Sequence, residues 1–137
     1  QLHGDEGPAF CAEVGRRTGA RVIKAIQVDG AGNVRELERY HTDFHLADAR
    51  AKAPGRGDLR GGTGETFDWG LLGGRRSHVP LILSGGLGPE NVTQAIAQVH
   101  PFAVDSASGT ERSPGRKDEG RLRAFFDAVA TTRAVAA

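Results

Sequence analysis

The stretch from Val79 to Gly109, VPLILSGGLGPENVTQAIAQVHPFAVDSASG, constrains the fold of this 137-residue chain more than any other, because it contains two copies of one device. In the first copy the apolar run VPLIL stops at Ser84-Gly85-Gly86. Gly88-Pro89-Glu90-Asn91 then opens a helix whose Val92, Ala95, Ile96 and Val99 repeat at i, i+3, i+4 and i+7. In the second copy PFAVD stops at Ser106-Ala107-Ser108-Gly109, and after a polar loop a helix begins near Asp118 with Leu122, Phe125, Phe126 and Val129 as its apolar stripe. Two consecutive parallel strands are therefore expected to end side by side in small, amide-rich turns. Gly85, Gly86 and Gly109 lack a Cβ, so backbone N–H groups can approach an anion closely, and nearby helix N-termini add partial positive charge. A phosphate suits such a site.

The remaining chain repeats the alternation of strand and helix. Gln1 to Gly4 reads as the tail of a strand, and a helix is expected from about Pro8 to Thr18, with Gly19 as its stop. Arg21 to Val28, RVIKAIQV, reads as a buried strand with Lys24 near its middle. Asp29 to Asn33 breaks it, a short helix follows over about Val34 to Tyr40, and Asp43 to Asp48 forms a strand ending on a carboxylate. Ala49 to Thr66 is a long glycine-rich loop, after which Phe67 to Leu72 is a short helical segment with Thr66 as its N-cap. Strand centres near 24, 46, 82 and 104 have the spacing of βα units with right-handed crossovers, which gives an α/β fold with a parallel sheet in a single domain over 1–137. An open doubly wound sheet and a closed barrel share this local pattern. Polar and glycine residues at the C-terminal end of every strand favour the barrel.

Composition narrows the function. The 18 Lys+Arg against 17 Asp+Glu leave a net charge of +1, so no broad field recruits nucleic acid or an anionic membrane, and anions must be caught locally. The longest apolar run is about the length of one strand, short of the roughly 20 residues a membrane span needs. One cysteine, Cys11, allows no internal disulfide and no zinc cluster, consistent with a cytoplasmic protein. The absence of methionine and the opening Gln-Leu-His-Gly read as a fragment whose first strand is incomplete.

Six blocks in order, QLHGDE, VIKAI, LAD, GGTGETFDW, LILSGGLGPENV and VDSASGTERSPGRKD, together resemble the C-terminal part of the phosphoribosylanthranilate isomerases of tryptophan biosynthesis. The resemblance covers nearly the whole chain. It implies an eight-stranded parallel βα barrel, here a partial barrel of about strands 4 to 8. The implied reaction is an Amadori rearrangement of N-(5′-phosphoribosyl)anthranilate, without cofactor or metal. It also implies a small phosphoribosyl substrate, no nucleic-acid or membrane partner, and a monomer or homodimer at full length. Strands one to three, with the cysteine general base of a Lys-Ile-Cys-Gly type motif, have no match. Cys11, within AFCAEV, is no substitute, so the fragment alone is expected to be inactive.

An Amadori rearrangement needs an acid to protonate the furanose ring oxygen, then a base to take the C2′ proton of the iminium. The resemblance assigns the acid to Asp48, which must hold its proton near neutral pH through desolvation or a neighbouring acid. A strand-end aspartate that caps the next loop is the alternative. Gly85, Gly86, Ser108 and Gly109 are assigned to the substrate phosphate, against the alternative that they only turn the chain. His3 and Asp105 are expected at the pocket edge, and Gly62 and Gly64 in a loop that closes over substrate. Trp69 and Phe67 are expected as core anchors, and Arg75, Arg76, Arg116 and Lys117 as solvated surface. Ala107 and Thr110 depart from the family pattern, where a serine and a valine are frequent. Two other readings stay open: another phosphosugar barrel enzyme of the histidine or tryptophan pathways, and a truncated phosphate-binding scaffold.

Overall fold

The structure, a computed structural model, describes residues 1–49 and 66–135. Four parallel strands follow one another in chain order across one sheet: β1 (Ile23–Val28), β2 (Phe44–Ala49), β3 (Leu81–Leu83) and β4 (Ala103–Val104). Leu2 extends the sheet beside β1, pairing in parallel with Lys24. Its N–H bonds Ile23 and its carbonyl accepts from Ala25, both at 2.9 Å. Gln1 to Gly4 thus occupies the expected strand-tail position. A doubly wound sheet reverses its strand order at a switch point, whereas among the described residues the order runs β1-β2-β3-β4 without reversal, as in a barrel-type arrangement.

Among the described residues four α-helices connect or follow the strands: α1 (Pro8–Thr18), α2 (Ala31–Leu37), α3 (Val92–Val99) and α4 (Glu119–Val135). Helix α1 starts on Pro8 and ends where Gly19, at φ 68°, returns its N–H to Gly15. Helix α2 lies three residues earlier than the pattern predicts. The Gly-Ala-Gly-Asn run read as a breaker forms its entry, where the Asn33 side chain accepts the Asp29 N–H at 3.2 Å. Helix α3 begins at Val92, after a turn closed by Asn91, and Val92 and Ala95 are its buried residues.

Alternation along the strands divides the sheet into two faces. Val28, Ala47, Leu81 and Leu83 pack with Val34, Leu37, Leu72, Val92, Ala95 and Phe125 in the main core, with Phe67 and Trp69 at its margin. A smaller cluster, Cys11, Val22 and Tyr40, seals α1 against the start of the sheet. Phe126 is a correction: expected in the α4 stripe, it is 66% exposed, and Phe125 alone of the pair is buried. Adjacent residues on a helix diverge by about 100°, so only one can face the core. The 3-10 helix Trp69–Gly74 is capped by Asp68, which accepts the Gly70 N–H, rather than by Thr66. The expected polar loop after Gly109 contains a short antiparallel hairpin, β5 (Glu111–Ser113) and β6 (Arg116–Lys117), turned at Gly115 with φ 76°.

Lys24 and His45 are among the polar residues buried between these elements. Lys24 is 1% exposed and donates to the Gly4 carbonyl at 2.7 Å and Glu6 Oε2 at 3.0 Å, with its ammonium over the Tyr40 ring. Glu6 also accepts the Gly4 N–H, so one ion pair holds the loop after the Leu2 strand. The hydrogen bond from Lys24 is the main reason the Glu6 carboxyl sits below its ordinary pKa. His45 Nε2 lies 2.7 Å from the Tyr40 carbonyl, and Arg75 approaches Nδ1 at 3.3 Å. That arrangement suits a neutral ring donating from Nε2, and burial pushes its pKa down. Arg75 also donates to the Val79 carbonyl, so it is not simply solvated, whereas Arg76 is exposed as expected, with its backbone N–H bonded to Glu38. Replacing Lys24 by Met keeps the hydrocarbon stem and removes the charge-assisted bonds. We expect a loss of about 2 kcal/mol in urea unfolding; an unchanged midpoint would show that the ion pair does not hold the loop.

Candidate functional site

The site follows from the ladder register. β2 pairs with β3 at Ala47 and Leu83, and β3 with β4 at Leu83 and Val104. One residue further on, the Ser84 N–H bonds the Ala47 carbonyl at 2.8 Å and the Asp105 N–H bonds that of Leu83 at 2.9 Å. Asp48, Ser84 and Asp105 therefore follow one another across three adjacent strands at one level. They are one residue out of phase with Ala47 and Leu83, so they lie on the face away from the helices. On that face, at the C-terminal ends of the strands, a cavity of about 310 Å³ is lined by His3, Asp48, Ser84, Gly85, Gly86, Asp105, Ser108 and Gly109, among others.

Asp48 is 4% exposed, and burial is the main cause that raises its pKa above the ordinary carboxylate range. His3, with Nε2 3.4 Å from Asp48 Oδ2, the Ala49 N–H and the Ser84 hydroxyl partly oppose that shift, while the Asp105 charge adds to it. Ser84 donates to Asp105 Oδ2 at 3.0 Å. A buried carboxyl with a raised pKa, facing a polar cavity, is suited to act as a proton donor.

The two glycine turns line the same cavity beside the end of β2. Gly85 and Gly86 have φ 91° and 63°, in the left-handed region that favours glycine. A Cβ on Gly85 would lie 2.3 Å from the Ala49 nitrogen, and one on Gly109 would lie 1.8 Å from the Leu87 carbonyl oxygen. The turns are in backbone contact with each other and with the end of β2, and no side chain fits between them.

The structure thus brings His3, Asp48, Gly85, Gly86, Asp105, Ser108 and Gly109 to one cavity, while Gly62 and Gly64 lie outside the described residues. Ser84, which links the two acids, was read only as part of a turn. Its place is visible in the sequence only once the register is known. Cys11 is buried on the helix side, in α1, away from this cavity. Among the described residues no cluster of His, Cys, Asp or Glu is arranged to hold a metal ion, and no helix is long and apolar enough to cross a membrane.

Residues 1–128 match the family described as PRAI: N-(5′-phosphoribosyl)anthranilate (PRA) isomerase. The chain is 46% identical over 129 residues to the N-(5′-phosphoribosyl)anthranilate isomerase of Magnetococcus marinus, covering 94% of this chain and 57% of that relative. It is 45% identical over 130 residues to the one from Rubrobacter xylanophilus, covering 94% and 60%. Among solved structures, phosphoribosyl anthranilate isomerase from Thermotoga maritima superposes with a TM-score of 0.74 at 38% identity, over 96% of this chain and 60% of that one. Another, in complex with reduced 1-(o-carboxyphenylamino)-1-deoxyribulose 5-phosphate, gives 0.71 at 34% identity, over 96% and 58%. The chain spans less than two thirds of the length of these relatives.

Two outcomes follow from the geometry. A carboxyl whose folded pKa is raised binds its proton more tightly when folded, so its favourable contribution is complete below the unfolded value and is lost as pH rises through the folded one. Asp48→Asn should therefore raise Tm relative to the parent near neutral pH, and the gain should vanish below about pH 3.9. An equal shift at both extremes would show that burial is not straining the carboxylate. Gly109→Ala should destabilise the fold by more than about 1 kcal/mol in urea unfolding, since one turn must move; unchanged stability would show that the turns are not packed backbone to backbone.

Proposed function

The chain belongs to the N-(5′-phosphoribosyl)anthranilate isomerase family, and on that premise we propose that its cavity binds a phosphoribosyl-anthranilate substrate and serves the Amadori rearrangement. The observation that supports this best is the meeting of a buried Asp48, its pKa raised by burial, with two glycine turns in one cavity. In this reading the amides around Gly85, Gly86, Ser108 and Gly109 hold the 5′-phosphate, and Asp48 protonates the furanose ring oxygen as its bond to C1′ breaks. His3 steadies Asp48, and Asp105, held by Ser84, accepts hydrogen bonds from ribose hydroxyls. Gly62 and Gly64 belong to the covering loop. No cofactor takes part.

The iminium formed on ring opening must lose its C2′ proton to a base. Cys11 lies in α1 on the helix side of the sheet, and the sequence contains no Lys-Ile-Cys-Gly motif. We therefore assign the described sheet to about strands 4 to 8 of an eight-stranded barrel, and expect the 137-residue chain by itself to bind without efficient turnover. The proposed setting is cytoplasmic, as a monomer or homodimer in the full-length protein.

The test is calorimetric binding of a reduced, non-reacting phosphoribulose analogue and its dephosphorylated form, beside a fluorescence assay of substrate loss. The phosphorylated analogue is expected to bind on the order of 100-fold more tightly, with little substrate turnover. Equal affinity for the two forms would overturn the phosphate assignment, and rapid turnover would overturn the account of the base.

A further inference from the structure

The cavity wall is made of backbone, so something must aim its peptide planes. In a trans peptide the carbonyl of one residue and the N–H of the next point in opposite directions, so a captured carbonyl fixes the direction of the following amide. Lys117 Nζ, at the end of the β5–β6 hairpin, donates to the Ala107 carbonyl at 2.6 Å and to Thr110 Oγ1 at 3.0 Å. Asn91 Nδ2, at the entry to α3, donates to the Gly86 carbonyl at 2.9 Å, while its Oδ1 accepts the Gly88 N–H. The amides that follow these two captured carbonyls belong to Ser108 and Leu87, and both residues line the cavity. Among the described residues, neither N–H meets a protein acceptor.

Resting on the phosphate reading above, we infer that Lys117 and Asn91 are positioning residues that turn the Ser108 and Leu87 N–H groups into the cavity as donors to an oxyanion. Neighbouring peptides are locked in the same way: Ser106 Oγ donates to the Leu87 carbonyl at 2.6 Å, and Arg121 Nε to that of Gly109 at 2.9 Å. The hairpin is thus the outer support of the second turn. Lys117 reaches the ligand through the peptide it holds, and its charge lies behind the turn.

The experiment is a titration of the 137-residue chain with inorganic phosphate, followed by amide 1H–15N shifts. In the parent, the Ser108 and Leu87 amides should move and saturate together. Lys117→Met should weaken phosphate about tenfold or more, the change expected for one charge-assisted hydrogen bond, with the Ser108 response reduced most. Arg123→Gln removes the same charge from an exposed partner of Glu119 on α4 and should leave affinity within about threefold. Asn91→Ser, scored at Leu87, provides the second variant. No saturation in the parent would overturn the phosphate reading itself. Saturation in the parent with undiminished binding by Lys117→Met, or equal weakening by Arg123→Gln, would overturn the positioning role while leaving that reading intact.

Discussion

Parallel strand register is the constraint on which the rest of this structure depends. Once Ala47 lies beside Leu83 and Leu83 beside Val104, Asp48, Ser84 and Asp105 fall at one level on the face away from the helices. A shift of one residue in either ladder would send a carboxyl into the helix-side core and an apolar residue into the cavity. The apolar residues that pack against α3 and α4 therefore also fix where the acid stands.

Polar atoms in the two turns are distributed on the same logic. Carbonyls of Gly86, Leu87, Ala107 and Gly109 are taken by side chains. In the proposed arrangement the Ser108 and Leu87 amides are left for the cavity, whereas the Gly88 and Thr110 amides are bonded within the turns. Asp48 shows the complementary arrangement: burial weakens its anion, and the surrounding hydroxyl, amide and imidazole only partly restore it. The turns that share the cavity with Asp48 carry backbone amides, whereas burial raises the pKa of the carboxyl itself. An anion held on the amides would discourage a second negative charge at Asp48 and so help to keep that carboxyl protonated.

Much of the fold was legible in the sequence because its strands are short apolar runs ended by glycine or a carboxylate. The helices show 3.6-residue periodicity and, in α1, a proline start and glycine stop. The bounds of α1 coincide with the expected ones, whereas α2 is displaced because Gly30 to Asn33 can either break a chain or enter a helix. The exposure of Phe126 could not be read from a stripe containing two adjacent phenylalanines. The residues of the candidate site were largely legible through turn chemistry and family motifs. Ser84, Lys117 and Asn91 were not, because a side chain that bonds a distant carbonyl leaves no periodic trace. Lys117 looked like solvated charge until the hairpin placed it behind Ala107.

The central claim is that acid and phosphate cradle face one another across one cavity. A crystal structure of the chain with a reduced phosphoribulose analogue tests it most directly. The account predicts phosphate oxygens at about 3 Å from the N–H groups of the two turns, with the sugar chain extending to the Asp48 carboxyl. A phosphate seated at the opposite ends of the strands, or a sugar directed away from Asp48, would contradict it.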